Sequence, residues 1–118
     1  MKEVIAIIRP DKLGQTKVAL AKSGAMGLTI IGAEGRGKQK GQEGRNRATG
    51  GLRLYRSQGF VQKILLMTVV DDADVEELIG KIISINRTGE TGDGKIIVCP
   101  VDESYRISTG ESGNSVIV

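Results

Sequence analysis

Lys63-Ile-Leu-Leu-Met-Thr-Val-Val70 runs straight into Asp71-Asp-Ala-Asp-Val-Glu-Glu-Leu-Ile-Gly-Lys-Ile-Ile-Ser-Ile-Asn86. The change of period between the two halves decides the fold. The first eight residues are apolar on both alternating faces, the pattern of a strand covered on both sides and so central in a sheet. After Asp71 the apolar residues Val75, Leu78, Ile79, Ile82 and Ile83, with Asn86, follow the three-and-four spacing of an amphipathic helix. Asp71 and Asp72 supply N-capping oxygens, and Asp74, Glu76 and Glu77 put negative charge in the first turns, where the helix dipole favours it. Gly89 is expected to stop the helix.

Working outward, Lys95 to Val98 reads as a further strand that runs on through Cys99 to Val101 if Pro100 lies on a sheet edge. In the other direction lies a long stretch, Gly35 to Lys63, with no apolar periodicity. Before it, Leu28 to Glu34 alternates Leu28, Ile30 and Gly32 with Thr29, Ile31 and Ala33, a strand. Asp11 to Ser23 places Leu13, Thr16 and Leu20 on one helical face, with Gly24 where a helix ends. Lys2 to Ile8 is a β-branched first strand, stopped by Arg9-Pro10. A short strand-like patch is expected at Tyr105-Arg106-Ile107, and Gly110 to Val118 should be loose. The order β-α-β, long loop, β-α-β predicts an α+β chain with the ferredoxin-like split arrangement (βαββαβ). It would be one domain over residues 1–118, with an antiparallel four-stranded sheet, two helices on one face, and a flexible loop over about 36–62. The other sheet face is apolar too and calls for a cover, most simply another copy of the chain.

The 118 residues contain no His and one Cys, which leaves no zinc ligand set, no internal disulfide and no commonest general base. Hydrolytic or acyl-transfer catalysis is therefore not expected. The sequence shows neither a charged-then-apolar leader nor an apolar run long enough for a membrane span, which points to a cytoplasmic protein. Charge is strongly uneven. Residues 35–63 carry eight basic side chains (Arg36, Lys38, Lys40, Arg45, Arg47, Arg53, Arg56 and Lys63) against Glu43 alone, a net of +7. The chain total of +3 thus leaves −4 for the remainder. A long cationic loop on a compact domain points to an anionic partner.

Two glycine-rich stretches carry chemistry. Gly89-Glu-Thr-Gly-Asp-Gly-Lys95 fits the G-x-x-x-x-G-K spacing of a phosphate-cradling loop, but Ile96 stands where Ser or Thr would hold magnesium. It also leaves a helix and enters a strand, the reverse of the nucleotide-hydrolysing loop. A kinase or ATPase is rejected on that context. What remains is glycines that allow close backbone approach and a lysine, enough to hold a phosphate without hydrolysing it, or simply a glycine-rich turn. Gly35-Arg36-Gly37-Lys38-Gln39-Lys40-Gly41 has the same logic and could equally be a loop stem. RNA-recognition modules share the strand and helix order, yet they stack bases on aromatics of the inner strands. The only aromatics are Tyr55, Phe60 and Tyr105, none of them in the first or third strand as read from sequence.

Arg9-Pro10 after an apolar strand, Gly35-x-Gly37-x-Gln39-Lys40-Gly41 at the loop root, Thr88-Gly89-x-x-Gly92-Asp93-Gly94-Lys95-Ile96, and Arg106 near the tail resemble the PII nitrogen-signalling proteins over nearly the whole chain. The extended loop between Gly41 and Lys63 resembles that of variants accompanying nitrogenase genes in methanogens and anaerobic bacteria. The resemblance implies a homotrimer with ATP or ADP in the clefts between subunits. Gly35, Gly37, Lys38, Gly92, Asp93, Gly94, Lys95 and Arg106 would surround the phosphates, with Thr29 near the adenine. Gln39 would join magnesium at ATP. Gln39, Lys40, Gly41 and Lys63 would hold 2-oxoglutarate, Lys63 meeting one of its carboxylates. Lys38 replaces an Arg of many members, Met67 a Glu, and Ser108 a second phosphate-binding Arg. The loop lacks the family's Leu-Tyr-Arg-Gly-Ala-Glu-Tyr stretch, so Tyr55 does not securely inherit the uridylylation site of some relatives.

The expected function is a non-enzymatic sensor: nucleotide and 2-oxoglutarate reshape the long loops, which dock on or leave a target enzyme, transporter or regulator of nitrogen metabolism, with nitrogenase a candidate. The alternatives from other classes are an RNA-binding ferredoxin-like module and a structural trimer with an idle loop.

Overall fold

The computed structural model of the chain describes residues 1–25, 27–37 and 59–117. The element order is β1 (Lys2–Ile8), α1 (Leu13–Lys22), β2 (Thr29–Arg36), β3 (Phe60–Val70), α2 (Val75–Asn86) and β4 (Lys95–Pro100). Short 3₁₀ turns lead into each helix, at Pro10–Lys12 and Asp72–Asp74. The four strands form one antiparallel sheet in the order β2-β3-β1-β4, the ferredoxin-like arrangement expected from the sequence. The apolar strands β1 and β3 are its two central members. Pro100 is accommodated because β4 is an edge.

Pairing sets which residues share a face. Val4 lies opposite Thr68 and Val98, and Ala6 opposite Leu66 and Ile96, so even-numbered positions of β1, β3 and β4 face the helices. There Val4, Ala6, Ile8, Leu66 and Val70 close on Leu20 of α1 and on Leu78 and Ile82 of α2, all buried. Thr16 and Asn86 join the helices inside this core. The Thr16 hydroxyl donates to Lys12 O at 2.7 Å and accepts from Asn86 Nδ2 at 3.1 Å, while Nδ2 also donates to Ile82 O at 2.9 Å. On the opposite sheet face, with Ile5, Ile7, Ile31, Leu65, Met67 and Ile97, no helix packs among the described residues. Ile31 and Ile97 are 48% and 42% exposed there.

Helix α1 ends as the sequence predicts. Gly24 adopts φ 82°, and Ala25 N donates back to Leu20 O at 3.2 Å, satisfying a carbonyl of the last turn. Other boundaries differ. Asp71 and Asp72 do not cap α2: its N-cap residue is Asp74, which makes no side-chain capping bond, and Asp72 meets the amino group of Met1 at 2.9 Å. Helix α2 stops at Asn86 because Arg87 is extended (ψ 120°), three residues before Gly89. The tail is ordered rather than loose. Tyr105 bridges Ser112, Gly113 N reaches Ser104 O at 3.1 Å, and Asn114–Ile117 closes a 3₁₀ turn. Strands β2 and β3 also reach into the stretch read as loop, through Arg36 and from Phe60.

Candidate functional site

The turn between α2 and β4 is folded around one carboxylate. Asp93 accepts from Thr88 N at 2.7 Å, from Gly89 N at 3.0 Å and from the Thr88 hydroxyl, so the chain from Thr88 to Asp93 closes on itself. Arg9, just past β1, donates from Nη2 to Thr91 O at 3.0 Å and to Asp93 Oδ1 at 3.4 Å. The Thr88 hydroxyl first, then the Thr88 amide, and with smaller effect the Gly89 amide and Arg9, hold the Asp93 carboxyl down from its ordinary 3.8 to about 2. Gly89, Gly92 and Gly94 sit at φ 86°, 101° and 103°. At Gly94 no side chain fits: a Cβ would stand 1.7 Å from the carbonyl oxygen of Ile7.

The loop root is built against this turn from the neighbouring strands. Lys63 of β3 is buried, and its ammonium donates to Gly92 O. Burial lowers its pKa from the ordinary value, and the charge of Arg9 adds to the lowering, against smaller raising contributions from Asp93 and Asp11. Gly35, on β2, packs on the Lys63 stem, since a Cβ there would lie 3.4 Å from Lys63 Cγ. Lys95 opens β4 opposite Ile7 and is exposed. One end of the sheet therefore gathers Gly35, Lys63, Arg9 and Gly92 to Lys95 from four strands, three of them cationic. At the same root Arg36 lies over the Phe60 ring, 5.9 Å from its centroid. Such a cluster of glycine backbone and positive charge suits an oxyanion.

Other predicted residues lie elsewhere. Thr29 faces Met67 across β2 and β3 and lines a hollow of about 230 Å³ with Gly27, Val69, Ser104, Val116 and others. Met67 lies four positions along β3 from Lys63, roughly 13 Å along the sheet. Arg106 belongs to the tail hairpin on that side, where its guanidinium meets Glu111 at 3.2 Å and Ser115 O at 3.3 Å. One chain thus does not bring Thr29 or Arg106 to Gly92–Lys95. Gly37 is exposed just past β2. Lys38, Gln39, Lys40, Gly41 and Tyr55 lie outside the described residues. Reading by sequence missed Arg9, Thr88 and Glu111 as site residues. Arg9 was visible as a strand-ending residue and as part of the motif that carries the resemblance, but with no role at the turn, because its partners lie more than 80 positions away.

No helix among the described residues is long and apolar enough to cross a membrane. A family described as Nitrogen regulatory protein P-II matches residues 1–111. A nitrogen regulatory protein P-II of Synechocystis is 44% identical over 117 residues, covering 99% of this chain and 100% of its own. A nitrogen fixation nifHD region GlnB-like protein 2 of Methanothermococcus thermolithotrophicus is 43% identical over 126 residues, 99% and 98% of the two chains. Its counterpart in Methanobacterium ivanovii is 38% identical over 122 residues and the full length of both. The chain belongs to the P-II family of nitrogen regulatory signal-transduction proteins and is a regulator, not an enzyme.

Proposed function

We propose that the chain works in the cytoplasm as a homotrimeric sensor that binds ATP or ADP together with 2-oxoglutarate and controls a nitrogen-metabolism target through the segment between β2 and β3. The observation that carries this reading is the convergence of Lys63, at the foot of that segment, on Gly92 O of the glycine turn. A ligand at either group acts on the other, and a ligand shifts a loop equilibrium only by binding its states unequally. The residues suit a polyphosphate: the glycine turn is held from behind by Asp93 and Arg9, which leaves Lys95 exposed for an anion. Gly35, Gly37, Lys38, Gly92, Gly94 and Lys95 would line the phosphates, and Asp93 would keep the turn in shape. Thr29, roughly 13 Å away along the sheet, and Arg106, held in the tail hairpin, would come from a neighbouring subunit. Magnesium bound with ATP would take Gln39 as a ligand and neutralise phosphate charge. Gln39, Lys40, Gly41 and Lys63 would hold 2-oxoglutarate. The Methanothermococcus relative named for a nifHD region makes a nitrogen-fixation target, nitrogenase among them, the favoured class.

Calorimetric titration of ATP with and without 2-oxoglutarate tests the reading. A lysine–phosphate bond contributes about 1.5–3 kcal/mol, so Lys95→Ala should weaken ATP roughly ten- to a hundredfold. Lys63→Ala should abolish the 2-oxoglutarate response and spare ATP. Unchanged affinities in both variants would leave the glycine stretch a turn and the chain a regulator of some other input.

A further inference from the structure

The tail hairpin is a closed device around a single arginine. From Ser104 to Gly113 its sequence is Ser-Tyr-Arg-Ile-Ser-Thr-Gly-Glu-Ser-Gly, with Arg106 the one basic residue. Tyr105 bridges Ser112, Arg106 N donates to Glu111 O at 2.8 Å, and Gly110 N donates to Arg106 O at 2.7 Å. Gly110 and Gly113 turn the chain at φ 74° and 94°. This backbone places the Glu111 carboxylate in reach of the guanidinium. Nη1 meets Glu111 Oε2 at 3.2 Å, and Nη2 donates to Ser115 O at 3.3 Å. Both terminal nitrogens of the guanidinium are thus already engaged within the chain, one of them by a carboxylate.

We infer that Glu111 is a built-in competitor for Arg106, a carboxylate that an incoming polyphosphate must displace before the arginine can serve it. The inference rests on the reading of Arg106 as a phosphate ligand. The two side chains are 37% and 53% exposed, so water screens the pair and the competition is modest. An arginine available only part of the time lowers apparent affinity by the fraction available. Ligands that never reach Arg106 escape this effect, so the clamp discriminates by reach and charge.

The test is calorimetric titration of the full-length protein with ATP. Glu111→Gln removes the competing charge and keeps the backbone bonds, and should tighten ATP roughly two- to fivefold. Glu103→Gln, an equal change of charge on the same hairpin at a residue bonded to the Tyr105 hydroxyl at 2.8 Å, should tighten it distinctly less. Arg106→Ala should weaken ATP, and adding Glu111→Gln to it should bring no recovery. Equal tightening by Glu103→Gln and Glu111→Gln would reduce the effect to net charge and overturn the clamp. Arg106→Ala weakening ATP while Glu111→Gln does not tighten it would also overturn the clamp, with the phosphate role of Arg106 intact. Unchanged ATP affinity in Arg106→Ala would remove that role and the inference with it.

Discussion

Asp93 takes the amides of Thr88 and Gly89 and the Thr88 hydroxyl on one carboxylate, and these bonds need the charged form. Its folded pKa lies below its unfolded one, so its contribution to the turn is fully present above the ordinary 3.8 and is lost as pH falls through about 2. Hydrogen exchange at the Thr88 and Gly89 amides should therefore accelerate across that window, relative to the α2 amides. Asp93→Asn should show the same accelerated exchange at neutral pH. Equal protection of both amides in Asp93→Asn would mean that Arg9 and the strand ends alone fold the turn. The carboxylate is engaged inside the turn, so at the proposed anion site this residue would shape the turn rather than repel a ligand.

At the scale of elements, the glycine turn is pressed onto the end of β1. The gap between Gly94 and Ile7 O admits no Cβ, and φ 103° disfavours any side chain. Gly94→Ala should therefore pull the start of β4 off β1, costing about 2–4 kcal/mol in urea denaturation through the lost close approach and the strained backbone. A cost under about 0.5 kcal/mol, the range of ordinary surface changes, would show that the turn yields freely. The strands, helices and glycine turn were legible because apolar period and glycine position are local signals. The extension of β2 and β3 into the long segment was not. Glu34 pairs with Gln62, Gly35 with Val61, and Arg36 with Phe60, and such pairing propagates through backbone bonds that leave no alternation in a Gly- and Gln-containing stretch. The aspartates before α2 carried a capping signal, but the 3₁₀ turn at Asp72–Asp74 moved the helix start past them. The tail was misread because its order comes from side-chain and backbone bonds within Ser104–Ser115, with almost no apolar pattern. Lys63 was singled out through the resemblance and lies against the glycine turn, whereas the approach of Arg9 to that turn depended on contacts distant in sequence.

For the whole molecule, the sheet face on which no helix packs among the described residues and the distance of Thr29 from Gly92–Lys95 point the same way. Ile31 and Ile97, 48% and 42% exposed, lie on the face that also holds Ile5, Leu65 and Met67. Completing the burial of each of the two isoleucines would contribute about 1 kcal/mol, repeated in every copy. The same association would let Thr29 and Arg106 of one chain approach Gly92–Lys95 of the next, which a single chain keeps apart. Light scattering should give three times the chain mass. Ile31→Glu places a charge on that face, where burial without a partner costs several kcal/mol, and should yield a folded monomer with native helical circular dichroism. On the proposed shared site, this variant should lose ATP binding together with assembly, and the two losses should share one dependence on protein concentration. A monomeric Ile31→Glu that still binds ATP at the affinity of the parent would sink the shared site, and a parent protein that is itself a monomer by light scattering would sink the trimer. Loss of ATP with assembly intact would place Ile31 in the ligand pocket itself rather than at the contact between copies.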